Sequence, residues 1–168
     1  MTNPVAQAAS DDPSLRRGAL ASVLAANGWL KLDTFRDRLL LQKRIYLMQS
    51  FGLFLGYRYN WYLHGPYAPD LTKDAFELSR NKIGGAALNW LTEEHRNQYD
   101  RFQKFVAPHA NDADWVEVAA SIHFLRRIYS DRTKDQILSR VQQKKPAVFV
   151  PEYCNRVWDD LEKVGLIK

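Results

Sequence analysis

The sequence predicts a mainly α-helical, compact domain with a minor β element, and three observations carry that expectation. Apolar residues recur at helical spacing along most of the chain, between recognisable capping residues. A single stretch, residues 57–64, alternates with period two instead. Composition is that of a globular protein, 46% apolar, 26% charged and 12% aromatic over 168 residues, which fits one domain. The expected organisation is a disordered tail over residues 1–12 and a single helical domain over 13–168.

The elements follow in order. A first helix opens near Asp12-Pro13-Ser14 and runs through Ala26, because proline suits a first helical turn and Asn27-Gly28 suits a left-handed stop. A second starts at Asp33 or Thr34 and ends before Gly52. Its Leu39-Leu40-Leu41 run widens the apolar stripe, so burial on more than one side is expected. Tyr57, Tyr59, Trp61 and Leu63 then alternate with Arg58, Asn60, Tyr62 and His64, reading as a strand with the first set on the core. The run from Gly65 to Asp70 reads as a turn, and Pro69 opens a third helix that ends at Gly84-Gly85. Further helices are expected from near Thr92 to Val106, from Asn111 or Asp112 through Ile128, from Thr133 to before Pro146, and from Pro151 to Gly165. Val148-Phe149-Val150 reads as a short extended piece.

Several function classes find no support. The apolar runs are only a few residues long, whereas a membrane span needs about 20. Residues 1–12 hold no basic residue and no apolar core, so they do not read as a secretory signal, and a cytoplasmic location is the expectation. One cysteine, Cys154, allows no internal disulfide and reads as structural. Phosphate-cradling glycine motifs, HExxH and GxSxG are absent, and the four histidines lack metal-ligand spacing. Ser121 and His123 stand two apart on a helix and point to different sides. The expectation is a non-enzyme without a cofactor.

Two features suggest binding. Basic residues outnumber acidic ones 24 to 19, a mild excess that is unevenly placed. Residues 126–145 hold Arg126, Arg127, Arg132, Lys134, Arg140, Lys144 and Lys145 against Asp131 and Asp135, and residues 15–44 include Arg36, Lys43 and Arg44. These runs suit phosphate contacts, and equally a solvated helix face. The second feature is the strand and turn. Arg58, Tyr62 and His64 would share the face away from the core, with Tyr67 joining them, a set suited to phosphate contact and base stacking. The structural alternative makes the aromatics core and His64 and Tyr67 partners of the turn.

The segments Leu41-Gln42-Lys43-Arg44-Ile45-Tyr46-Leu47, Gly56-Tyr57 and Tyr62-Leu63-His64-Gly65-Pro66-Tyr67-Ala68-Pro69-Asp70-Leu71 resemble the YwgA-like proteins of bacteria and archaea. They are also distantly similar to the Panacea domain of antitoxins and phage-associated proteins. The likeness covers residues 34–78; Ala68 stands where serine is commoner. It implies a winged-helix-like or related helical fold, no cofactor, and a role in regulation, toxin neutralisation or phage defence. The resulting expectation is a regulatory or accessory protein that binds a protein partner, a toxin or defence effector. The alternative is a winged-helix-like module that binds DNA or RNA.

Overall fold

The computed structural model describes residues 12–81 and 93–168. Seven α-helices and one two-stranded antiparallel hairpin make up these residues: α1 Pro13–Asn27, α2 Phe35–Ser50, β1 Asn60–Tyr62, β2 Gly65–Tyr67, α3 Pro69–Asn81, α4 Glu93–Val106, α5 Ala113–Ile128, α6 Lys134–Gln142 and α7 Pro151–Lys163. A 3-10 turn, Ala107–His109, follows α4. The fold is mainly helical with a minor β element, as the sequence patterning predicts. Of the tail expected over residues 1–12, all but Asp12 lies outside the described residues, as do the helix stop at Gly84-Gly85 and the start at Thr92.

Local capping chemistry sets the helix boundaries. The Asp12 carboxylate accepts from the Ser14 amide at 2.9 Å and Pro13 occupies the first turn of α1, while Gly28 closes the helix at φ 66°, where a side chain would be strained. Thr34 and Asp37 form a reciprocal capping box on α2, and Thr133 and Gln136 repeat it on α6. Asp112 caps α5 through the Trp115 amide.

Packing is centred on α2 and α5. Every residue of α2 from Leu39 to Met48 is buried, as is almost all of α5 from Trp115 to Leu125. The hairpin and α3 lie against α2, the hairpin also meets α5, and α6 and α7 pack on α5 and on each other. Polar anchors fix these contacts. The Gln42 amide on α2 brackets Ala68, donating to its carbonyl at 2.8 Å and accepting from its N–H at 2.9 Å. Buried Asp74 on α3 accepts from Arg16 of α1 and from the Tyr57 hydroxyl, each at 2.8 Å. The Gln49 side chain accepts from the Leu55 and Tyr57 amides, tying the loop before β1 to the end of α2.

The structure corrects three sequence expectations. The strand predicted over 57–64 pairs only over 60–62, and the predicted turn after His64 is the second strand. Chain reversal occurs at Leu63-His64, between the paired residues Tyr62 and Gly65. Pro66 is tolerated there because it faces Trp61 at the middle of the register. In a two-residue hairpin that middle pair is non-hydrogen-bonded, so the missing N–H takes nothing from the ladder. The inward set therefore fails at its last member: Tyr57 is buried, whereas Leu63 at the tip is 84% exposed. Finally, of residues 148–150 only Val150, at the start of α7, is extended. The Val148 and Phe149 amides turn back to the Lys145 carbonyl, and only Phe149 enters the core.

Gly65 makes the hairpin's close approach possible. Its φ is +89°, and an added Cβ would lie 2.5 Å from the Ser121 hydroxyl. Gly65→Ala is expected to destabilise the protein by more than ~2 kcal/mol. Gly18→Ala, in open space within α1, should be neutral or stabilising by up to ~1 kcal/mol. Denaturant unfolding of both variants checks this pair.

Candidate functional site

Beneath the hairpin lies a cluster of charge that the core has to accommodate. Glu117, on the inner face of α5, is fully buried. Lys144 and Lys145, just after α6, reach it with their amines at 3.0 and 3.1 Å from its two carboxylate oxygens. Lys43, on the facing side of α2, is 2% exposed and donates to the Pro66 carbonyl. Lys144 also donates to the Ser121 hydroxyl at 3.4 Å. One carboxylate thus serves two lysines, while the third meets a backbone carbonyl. Burial, reinforced by the charge of Lys144, pushes the Lys43 ammonium down to about 7. Burial also lowers Lys144 and His64.

Lys43 is at the same time part of the wall of a surface cavity of about 250 Å3, between the start of α2, the hairpin tip and α3. Phe35, Leu39, Leu63, His64, Tyr67 and Phe76 form most of its lining, with Arg38, Gln42 and Thr72 supplying polar atoms. The rim is apolar and solvent-exposed: Phe35 is 55% exposed and Phe76 39%, in addition to Leu63. His64 sits edge-on to Phe35 with ring centroids 4.9 Å apart. Tyr67 donates to the Thr72 hydroxyl at 3.0 Å, and its ring meets Tyr62 at 5.3 Å. Such a site can receive an apolar side chain, with the neutral groups of Gln42 and Thr72 and the Arg38 guanidinium around it.

The binding residues expected from sequence fall into separate places. Tyr62, His64 and Tyr67 do share the hairpin end. Arg58 does not join them; it lines a different cavity with Arg127, at the other end of α2. Lys43 and Arg44 are not surface contacts. Arg44 is buried over the Trp29 ring at 5.0 Å and donates to the Ala110 carbonyl at 2.7 Å and the Asn111 side chain at 2.8 Å. Burial brings its guanidinium down to about 10. Arg36 stays exposed and donates to the Asn111 carbonyl. Arg126 closes the end of α5 by donating to the Arg132 carbonyl at 2.6 Å. Arg132 lies over Tyr129 and Lys134 over Trp158, at 5.1 and 5.6 Å. Sequence reasoning missed Glu117, Ser121, Phe35, Leu63 and Phe76. Glu117 left one signal, a carboxylate on the apolar face of α5; the rest read as ordinary helix or core residues.

No family model, curated protein or solved structure matches this chain. The likeness described for residues 34–78 therefore rests on those residues alone. Among the described residues, no helix is long and apolar enough to cross a membrane.

The lysine cluster has a titration signature. Between about pH 7 and 10.5 the unfolded chain holds a proton on Lys43 that the folded chain has released. Stability should therefore rise with pH across this window, by up to ~1.4 kcal/mol per pH unit, and level off below pH 7 where both states are protonated. Lys43→Met is expected to flatten the rise. Urea midpoints at pH 7, 8 and 9 test this, and an unchanged slope in the variant would assign the titration to another group.

Proposed function

We propose that this chain is a non-enzymatic regulatory or accessory protein of the cytoplasm, which holds a protein partner at the cavity between α2, the hairpin tip and α3. The observation that carries the reading is the grouping of Phe35, Leu63 and Phe76, all exposed, around one apolar cavity. Scattered exposed apolar residues are ordinary, whereas a contiguous set around a concavity marks an interaction site. The charge available to a partner in the lining is that of Arg38, since the Lys43 amine is buried against the Pro66 carbonyl. The fitting partner segment presents one bulky apolar side chain with a carboxylate beside it. Resemblance to antitoxin- and phage-associated proteins supplies the partner class, a toxin or defence effector whose activity the complex would block.

The test combines capture with neutralisation. Tagged wild type purified from its native host should retain a stoichiometric partner after nuclease treatment. That partner, expressed alone, should arrest growth, and co-expression of wild type should relieve the arrest. Leu63→Asp and Phe76→Asp should lose both capture and rescue while keeping the unfolding free energy within about 1 kcal/mol of wild type, since both residues are exposed. Rescue by the two variants as effective as wild type would refute the assignment of the cavity.

A second reading, binding of DNA or RNA, draws on a different face. Arg140 lies over both Trp61 and Tyr129 at 5.7 Å, and Arg132 and Lys144 stand over the same two rings. Interleaved cations and rings suit single-stranded nucleic acid. On this reading affinity for an oligonucleotide should fall steeply with salt, and Arg140→Ala should reduce the slope. Binding that is flat across salt would remove it.

A further inference from the structure

Away from the lysine cluster, a cavity of about 390 Å3 at the far end of α2 is lined by cations with no acidic side chain among them. Tyr46, Gln49 and Ser50 of α2, residues of the loop leading into β1, and Phe124, Arg127 and Ile128 of α5 enclose it. Two guanidinium groups, Arg58 and Arg127, belong to the lining, and no carboxylate does. Neither arginine makes an ion pair among the described residues. This separates them from Arg16, Arg44 and Arg126, whose heads are taken up by internal carboxylates or carbonyls.

The interior beside them is already saturated. Tyr46 and the His123 imidazole share a buried hydrogen bond of 2.7 Å, the Ser50 hydroxyl donates to the Tyr46 carbonyl, and both ends of the Gln49 amide are engaged by the loop. The charge of Arg127 is nevertheless felt there. After burial it is the next cause that holds the His123 imidazole down at about 4. The positive field of the cavity therefore reaches its floor without an internal counter-charge. The outer wall is apolar and partly flat, from Phe54, Phe124 and Ile128, with Phe54 and Ile128 exposed.

We infer that this cavity is a binding site for a small phosphomonoester carrying a planar ring, of nucleoside monophosphate type. Two guanidinium groups match a phosphate dianion in charge, where a single carboxylate would leave one of them unmet. The apolar wall of Phe54 and Phe124 is suited to the ring. The volume lies within the range of small-molecule sites. A free nucleotide and the 5′-phosphorylated end of a single strand present the same chemistry. The site stands apart from the apolar cavity proposed for a protein partner: Phe35 and Ser50 bound α2, whose 16 residues span about 24 Å.

Calorimetric titration of the full chain with adenosine 5′-monophosphate tests the inference, alongside adenosine, inorganic phosphate and a 5′-phosphorylated oligonucleotide. Saturable binding of the monophosphate is expected, with adenosine and phosphate each at least tenfold weaker. Arg58→Ala and Arg127→Ala should each weaken it at least tenfold without moving the thermal transition, and Arg156→Ala on α7 should leave it unchanged. Binding of the oligonucleotide alone, lost in the same two variants, would assign the site to a strand end. No binding of either phosphorylated probe at millimolar concentration, or binding that both variants retain, overturns the proposal.

Discussion

The buried carboxylate of Glu117 is the constraint around which the rest of the molecule is arranged. An isolated charge at that depth is strongly unfavourable, so α6 and the turn after it have to deliver Lys144 and Lys145 to its two oxygens. Their arrival fills the space beside Ser121, and only a glycine at position 65 leaves room for the hairpin to settle on top. Lys43 then finds its single acceptor in the Pro66 carbonyl. Removing any one of these groups leaves a buried polar atom unmatched, which is why the hairpin, α2, α5 and α6 hold together as a set. Hydrophobic burial stabilises the fold, but the charge cluster fixes which way the hairpin sits.

That placement produces the exposed apolar rim. With Gly65 and Pro66 drawn down, the two residues of the reversal, Leu63 and His64, are held above the first turn of α2. Phe35 and Phe76 face the same cavity from the two helices. Three large apolar side chains thus meet solvent because the strands beside them are anchored to a polar interior. The surface character of this corner is a consequence of the buried electrostatics a few ångströms below.

What could be read directly from the sequence was local. Asp12, Gly28, Thr34, Asp112 and Thr133 mark helix ends through bonds to residues two to four positions away, so their signals survive without knowledge of the fold. Non-local facts were hidden. Pro66 reads as a breaker until the register shows it opposite Trp61, at a position where no N–H is required. Lys43 and Arg44 read as solvent-facing because charge on a helix usually is; their acceptors, at Pro66 and Ala110, lie 23 and 66 positions away. Phe35, Leu63 and Phe76 read as core for the converse reason. The grouping of Arg58 with Arg127 depends on how α5 crosses the end of α2, which periodicity does not encode.

The unbroken burial of α2 from Leu39 to Met48 has a consequence for how such a chain can diversify. Ten consecutive positions touch neighbours on every side, including three polar ones whose partners are fixed, so a substitution there has to be answered by changes on several other elements at once. The helix ends carry no such burden: Phe35 opens onto one cavity and Ser50 onto the other. Change is therefore easiest at the two ends of α2, whereas the cavity-lining residues of its middle, Leu39, Gln42, Lys43 and Tyr46, are held by the core as well.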